Sequence, residues 1–251
     1  MTELTDFQLL RNLRSLRSDP PADLAEKTLA AVGLVDSYAY MPSAIGLMRV
    51  AWGPDGITAV APADEPGEDR FVADYVARHG RRLRRADPAV VPDRLLRRPA
   101  FDLRGLTDFE RAVLDATRRI PAGEVRPYSW VAREIGRPGA VRAVGSALGR
   151  NPVPLLIPCH RVVRSDGHIG EYALGAPNKR VMLAAEGVEP DVLEDLASRG
   201  VRYFGSDTTH IYCHPTCRYG RRVMERHQVA FGSAESAREA GYRPCKVCRP
   251  V

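Results

Sequence analysis

The chain has 251 residues, enough for one large domain or two smaller ones, and its 44% hydrophobic and 27% charged residues suffice for a packed core with an ordinary surface. No apolar run is long enough to cross a bilayer, and the start, Met1-Thr-Glu-Leu-Thr-Asp-Phe7, lacks the basic-then-apolar order of a secretion signal, so a cytosolic, membrane-free protein is expected. The net charge is +6, and lysine occurs only at Lys27, Lys179 and Lys246, so arginine supplies 34 of 37 cations; a basic chain without a membrane signature leans toward nucleic acid.

In chain order, residues 1–36 read as a helical extension. Leucines at helical spacing follow Asp6, Asp19-Pro-Pro21 interrupts them, and a second helix is expected from Ala22 to Val32. Residues 44–60 read as a hairpin: Gly46–Trp52 and Ile57–Val60 are strand-like, and Pro54-Asp-Gly56 is a turn signal. An acidic loop follows, then a helix over Phe71–Leu83, then a proline- and arginine-rich connector over 87–99 that suits a linker. Thr107-Asp-Phe-Glu110 is a capping box, and Phe109, Val113, Ala116 and Ile120 fall on one face of the helix it starts. Ser129 is placed to cap a short helix over Trp130–Ile135. Gly136-Arg-Pro-Gly139 turns the chain into another helix, Ala140–Gly149, rich in Ala, Gly and Ser. Two short helices about a glycine turn fit either tight helix packing or a helix-turn-helix.

The five cysteines divide into one and four. Cys159 stands alone in Asn151-Pro-Val-Pro-Leu-Leu-Ile-Pro-Cys-His-Arg-Val162. A thiol is a useful nucleophile only as a thiolate, which needs a nearby base or positive charge, and His160 is adjacent. Neighbouring side chains on an extended segment point to opposite sides, so a Cys–His interaction there needs a turn or a bridging water. The other four, Cys213-x3-Cys217 and Cys245-x2-Cys248, have the spacing of a closed tetrahedral zinc site; His210 and His214 stand close by, but four thiolates already complete the tetrahedron.

The segment around Cys159 closely resembles the active site of the O6-alkylguanine-DNA alkyltransferases. The resemblance runs from about residue 46 to 189 and includes Gly123-Glu-Val-Arg-Pro-Tyr128, Arg142-Ala-Val-Gly145, Gly170-Glu-Tyr-Ala-Leu-Gly175 and Asn178-Lys-Arg-Val-Met-Leu-Ala-Ala-Glu-Gly187. It implies that Cys159 accepts the alkyl group from O6 of a damaged guanine, and of O4-alkylthymine as a further substrate, once and irreversibly. His160 would take the thiol proton through a water, Glu186 would hold the imidazole, and Asn151 would organise the turn. Tyr128 would donate to the leaving base, Tyr172 would form a pocket wall, and the Val162 carbonyl would accept from the guanine amine. Because O6 lies inside the stack, the base must be flipped out. Arg142 would fill the gap, with Ala140, Gly145 and Ser146 allowing close approach to the minor groove. Many relatives end the tyrosine loop with two glycines; here Ala176 follows Gly175, which leaves the range of alkyl groups open.

Residues 203–251 also resemble the metal-binding domain of the adaptive-response protein Ada, through Thr208-Thr-His-Ile-Tyr-Cys-His-Pro-Thr-Cys217 and Ala240-Gly-Tyr-Arg-Pro-Cys-Lys-Val-Cys-Arg-Pro250. That resemblance implies bound Zn2+, structural or activating a nucleophile, and places Cys213 where Ada accepts a methyl from a DNA phosphotriester. His210 departs from it, standing where such sequences commonly have glycine.

The expected fold is α+β: a helical extension (1–36), a small α/β, ribonuclease-H-like part (37–100), a winged or helix-turn-helix alkyltransferase domain (101–192) and an Ada-like zinc module (200–251). The expected partner is alkylated double-stranded DNA, bound by a monomer with no organic cofactor. Two other readings remain at this stage: a DNA-lesion sensor that binds without reacting, and a thiol hydrolase, for which no oxyanion site is visible.

Overall fold

A computed structural model describes residues 24–64 and 67–251; the helix expected after Asp6 lies outside them. The expected second helix is present as α1 (Leu24–Ala31). Strand β1 (Val35–Ser43) then pairs antiparallel with β2 (Gly46–Gly53), and β2 with β3 (Gly56–Pro62). The turn at Pro54-Asp-Gly56 is as read from the sequence. Gly56 has φ +131°, and a Cβ there would lie 2.4 Å from the Ala100 carbonyl oxygen.

The next segment differs from the sequence reading. Helix α2 spans Glu68–His79 and stops at Gly80, short of Leu83, and β4 (Arg82–Val90) occupies the start of the expected connector. It lies parallel to β1 at the edge of a four-stranded sheet ordered β3-β2-β1-β4. Its arginines hide the strand pattern: Leu83 is buried while Arg82 and Arg85 are exposed, which also guards a sheet edge against further pairing. A short helix, α3 (Asp93–Arg97), completes the connector.

Helix α2 covers one face of the sheet through Phe71 and Tyr75, packed on Tyr38, Ala51 and Leu83. The opposite face shares one continuous core with the helices that follow: Met48, Val50 and Ile57 cluster with Val113, Leu114, Trp130, Val144 and Ile157. Main-chain bonds reinforce the join, from Ile57 N to Ala100 O (2.8 Å), Asp102 N to Ile57 O (2.9 Å) and Val60 N to Pro152 O (2.8 Å).

Helix α4 (Asp108–Arg118) starts at the capping box. Thr107 Oγ1 accepts from Glu110 N (3.2 Å), and Glu110 Oε2 accepts from Thr107 N (2.9 Å). Two short strands, β5 (Arg126–Pro127) and β6 (Val162–Val163), pair in parallel. Between them lie α5 (Tyr128–Glu134) and α6 (Val141–Gly149). Helix α5 begins at Tyr128, so Ser129 lies inside its first turn and does not cap it; Pro127, with no side-chain cap, precedes it. Helices α7 (Ala176–Ala185) and α8 (Pro190–Ser198) follow β6.

The C-terminal part has its own small sheet, ordered β10-β8-β7-β9, from β7 (Tyr203–Ser206), β8 (Ile211–Cys213), β9 (Gln228–Phe231) and β10 (Arg243–Pro244), with helix α9 (Ala234–Glu239) packed against it. The fold is therefore mixed α+β. Among the described residues, no helix is long and apolar enough to cross a membrane.

Candidate active site and metal centre

After the Asn151–Pro158 loop the chain makes one 3-10 turn, Cys159–Arg161, before β6. The segment is therefore not extended at the Cys-His pair, and the two side chains are not forced to opposite sides. The Asn151 amide holds the turn together. Its Nδ2 donates to the Ile157 carbonyl (3.0 Å) and to Cys159 Sγ (3.2 Å), while its Oδ1 accepts from Val153 N (3.1 Å). Cys159 is buried at the base of a cleft of about 250 Å³, to which α5 and α6 contribute Tyr128, Gly145 and Leu148 and the loop after Gly170 contributes Tyr172. Burial pushes the Cys159 thiol up; the Asn151 amide and the Lys179 charge pull the other way without overcoming it. The resting group is thus a thiol that needs a base.

His160 is fully buried, and its Nε2 lies 3.0 Å from Glu186 Oε1. With Nε2 donating to that carboxylate, Nδ1 remains as the basic nitrogen, and it has no protein partner. Glu186 is more than a solvated helix end. Arg161 grips it with two bonds (Nε to Oε2, 2.8 Å; Nη2 to Oε1, 2.7 Å), and Gly123 N donates to Oε2 (3.3 Å). Burial alone would raise Glu186, but the His160 and Arg161 hydrogen bonds outweigh it and hold the carboxyl at about 2. Arg161 also donates to the Ile120 carbonyl (2.6 Å), which ties the site to the end of α4. Gly123 has φ +74°, and a Cβ there would sit 2.9 Å from the Glu186 carbonyl, so this position requires glycine.

Tyr128 and Tyr172 both line the cleft. Burial, then the charges of Cys159 and Glu171, raise Tyr128, which keeps it a donor; burial and Cys159 raise Tyr172 as well. Val162 is buried, and its carbonyl accepts from Lys179 Nζ (2.6 Å); the second lone pair of that oxygen leaves capacity for another donor. Arg142 and Ser146 are exposed on α6, and Ala140 and Gly145 are half-buried, with the Gly145 Cβ direction 3.9 Å from the Tyr128 ring.

Two residues near this site were not singled out from the sequence. Arg161 was visible only as the residue after the Cys-His pair. Lys179 is fully buried, with Nζ donating to the carbonyls of Val162 (2.6 Å), Ile169 (2.6 Å) and Glu171 (3.1 Å), and burial lowers it to about 8. The available signal was its rarity. The chain's cations are almost all arginine, and at this position a compact ammonium with three donors fits where a planar guanidinium does not.

The other four cysteines converge. Cys213 ends β8 and Cys245 follows β10; because these strands lie side by side and parallel, the two pairs meet although 27 residues separate Cys217 from Cys245. All four are buried, free thiols whose Sγ atoms lie within 4.8 Å of one another, a donor set that can hold one metal ion. Neither histidine belongs to it. His214 is buried against Tyr203, and burial lowers it to about 3. His210 is exposed, with its ring tilted against that of Tyr242, centroids 5.0 Å apart. The φ of His210 is +53°, the left-handed conformation that glycine adopts without cost.

The family profile described as "6-O-methylguanine DNA methyltransferase, DNA binding domain" matches residues 108–188, and "Metal binding domain of Ada" matches residues 192–251. A methylated-DNA–protein-cysteine methyltransferase of Methanothermobacter thermautotrophicus is 35% identical over 153 residues, 55% of this chain and 78% of that one. One from Mycobacterium tuberculosis is 48% identical over 86 residues, 34% of this chain and 52% of that protein; the chain spans about half the length of this and several similar relatives. The crystal structure of Mycobacterium tuberculosis O6-methylguanine methyltransferase aligns with a TM-score of 0.48 at 32% identity, covering 61% of this chain and 93% of that one.

Proposed function

This chain belongs to the methylated-DNA–protein-cysteine methyltransferase family, and from that premise we propose that it repairs DNA by moving an alkyl group from O6 of guanine, and from O4 of thymine, onto its own Cys159. The observation that carries this reading is the arrangement at Cys159. A lone, buried thiol closes the base of a cleft, Asn151 contacts its sulfur, and a His160–Glu186 pair stands one residue away.

The thiol proton passes to His160, through a bridging water, and the imidazolium is stabilised by Glu186. Sulfur attacks the alkyl carbon, the C–O6 bond breaks, an S–C bond forms, and the guanine leaves with a proton supplied through Tyr128. The products are unmodified guanine and a Cys159 thioether. The thioether is stable, so each molecule reacts once. Tyr172 walls the flipped base, and the Val162 carbonyl accepts from its amine.

Residues 37–100 form the ribonuclease-H-like part of this reading and 101–192 the alkyltransferase domain. Helices α5 and α6 act as a helix-turn-helix. The second helix enters the minor groove of duplex DNA, Arg142 fills the space left by the flipped base, and Ala140, Gly145 and Ser146 let the backbone approach. Binding would weaken steeply with salt. The protein would act as a cytoplasmic monomer without an organic cofactor.

The C-terminal module, residues 200–251, holds Zn2+ through Cys213, Cys217, Cys245 and Cys248. The fit rests on four buried thiols converging in a reduced, disulfide-free cluster. A zinc ion keeps its thiolates deprotonated and nucleophilic. A second acceptor site at Cys213, taking methyl from DNA phosphotriesters, is favoured by one observation. A cleft of about 360 Å³ reaches Cys213 and Cys245, with Arg243 and Lys246 beside it to meet a phosphate backbone, whereas Cys217 and Cys248 have no exposure.

Intact-protein and peptide mass after incubation with duplex DNA carrying O6-methylguanine tests the central reading. One methyl on Cys159, stopping at one equivalent, supports it. DNA-bound protein with unmodified Cys159 overturns it in favour of a lesion sensor.

A further inference from the structure

The two cysteine knuckles reach beyond their own module, and both grip the same stretch of the alkyl-acceptor part. The first knuckle presses on the loop 123–126. Val125 N donates to Thr216 Oγ1 (2.9 Å), and Arg218 N donates to Glu124 Oε1 (3.2 Å). Glu124 and Arg126 form an ion pair with both side chains buried beneath this contact. The second knuckle holds α5. The Trp130 indole N–H donates to the carbonyl of Cys248 itself (3.0 Å), and Arg249 pairs with Glu134 at the end of the helix. Two guanidinium groups lie near the Trp130 ring, those of Arg126 (5.8 Å to the ring centroid) and Arg249 (5.7 Å).

What lies between these grips matters to the site. Gly123 N contacts the Glu186 carboxylate, β5 pairs with the strand that follows the Cys-His-Arg turn, and Tyr128 opens α5 and lines the cleft. Thr216 lies within the first cysteine pair and Cys248 is a member of the second, so an ion bound by all four thiols fixes the spacing of the two grips. Without it, the knuckles are joined only by packing of the four thiols and by the short β8–β10 pairing, whose bonds run from Arg243 N to His210 O (2.8 Å) and from Cys245 N to Tyr212 O (2.9 Å).

We propose that the four-cysteine cluster is a latch on segment 123–134, so that metal occupancy sets the rigidity of the loop and helix that shape the Cys159 cleft. This rests on the reading that the cluster holds a metal. It goes beyond that reading by making the module a structural support of the first acceptor site, whatever Cys213 does.

The test uses the full chain, with zinc content measured by elemental analysis before and after chelation. Peptide-resolved hydrogen exchange and Trp130 emission are then compared with zinc bound and removed; a Trp52→Phe background leaves Trp130 as the single tryptophan. The latch predicts exchange in 123–134 at least about tenfold faster after zinc removal, with a shift in Trp130 emission. A Thr216→Val, Arg249→Ala double variant should retain one zinc and still show faster exchange in 123–134. Loss of protection in 203–251 alone, with 123–134 unchanged on chelation, overturns the latch while leaving the metal reading intact. Absence of bound zinc in the starting protein overturns both, and elemental analysis separates that outcome from the other.

Discussion

Cys159 and the four-cysteine cluster use one kind of side chain for opposite ends. Cys159 is surrounded by unlike groups: an amide bonds its sulfur, a lysine charge pulls its thiol down, and the next residue is a histidine held by a carboxylate. The cluster surrounds each sulfur with three of its own kind. The first arrangement keeps a thiol protonated until a base is used; the second invites a cation to neutralise several thiolates at once. What a cysteine does here is decided by its neighbours, since burial is similar at both places.

The sharpest way to break that contrast is to remove one sulfur from each. Cys159→Ala should abolish alkyl acceptance from O6-methylguanine DNA while costing only about 1 kcal/mol of stability. Cys217→Ala should do the reverse first, losing zinc and melting 203–251, because metal binding in such modules is largely their folding energy. Methyl counting by mass and zinc counting by elemental analysis read the pair. Retained zinc in Cys217→Ala would remove the four-thiolate description.

The next effect lies within the acceptor site. His160→Ala should slow methyl transfer by about 10²- to 10⁴-fold, the range expected for loss of a general base. Burial raises the Cys159 thiol, so without His160 the rate should climb about tenfold per pH unit until the thiol ionises. A pH-independent rate in that variant would mean His160 is not the base. Glu186, whose carboxyl is held at about 2 against an ordinary 4.5, contributes stability that is fully present above pH 4.5 and is lost as pH falls toward 2. Arg161→Ala should move that loss to higher pH, since it removes two of the bonds on the carboxylate.

Lys179 tests whether the cleft wall depends on a buried cation. Lys179→Met leaves three carbonyls without their donor and should destabilise the fold by about 2–4 kcal/mol in chemical denaturation, and Lys179→Arg should not restore it. The pH sign is the same as that of Glu186, in a window several units higher. The folded chain releases this proton at about 8 and the unfolded chain near 10.5, so the unfolded state binds more protons between them and the lysine's contribution to stability rises with pH across that window.

Local chemistry was legible in the sequence wherever one short segment carried the whole signal. The Thr107 capping box, the turn at Gly56 and the paired cysteine spacing are such cases. Strand β4 was missed because its arginines break the apolar alternation, and its identity as a strand comes from pairing with β1, more than 40 residues earlier. Ser129 failed as a cap because β5 and Pro127 already fix the start of α5. Arg161 and Lys179 act through partners that only folding supplies, Glu186 for one and three carbonyls for the other. The grip of the cysteine knuckles on 123–134 had no local trace at all, since Thr216 and Val125 are 91 residues apart.

The smallest effect belongs to the metal region and asks whether its histidines matter. His210 carries a left-handed backbone, which costs a non-glycine residue roughly 1–2 kcal/mol, and part of that is offset by its ring on Tyr242. His210→Gly removes the strain, but it also loses the ring contact and frees the unfolded chain, whose extra entropy is worth about 0.5–1 kcal/mol. The terms nearly cancel, so stability should change by less than about 1 kcal/mol. His210→Val should be worse, because a β-branched side chain tolerates positive φ poorly and brings no ring contact. Zinc content should remain one equivalent in both, since His210 stands outside the sulfur cluster. A fall in zinc affinity with His210→Gly would instead make this histidine part of the metal site and blur the division between the two kinds of cysteine environment.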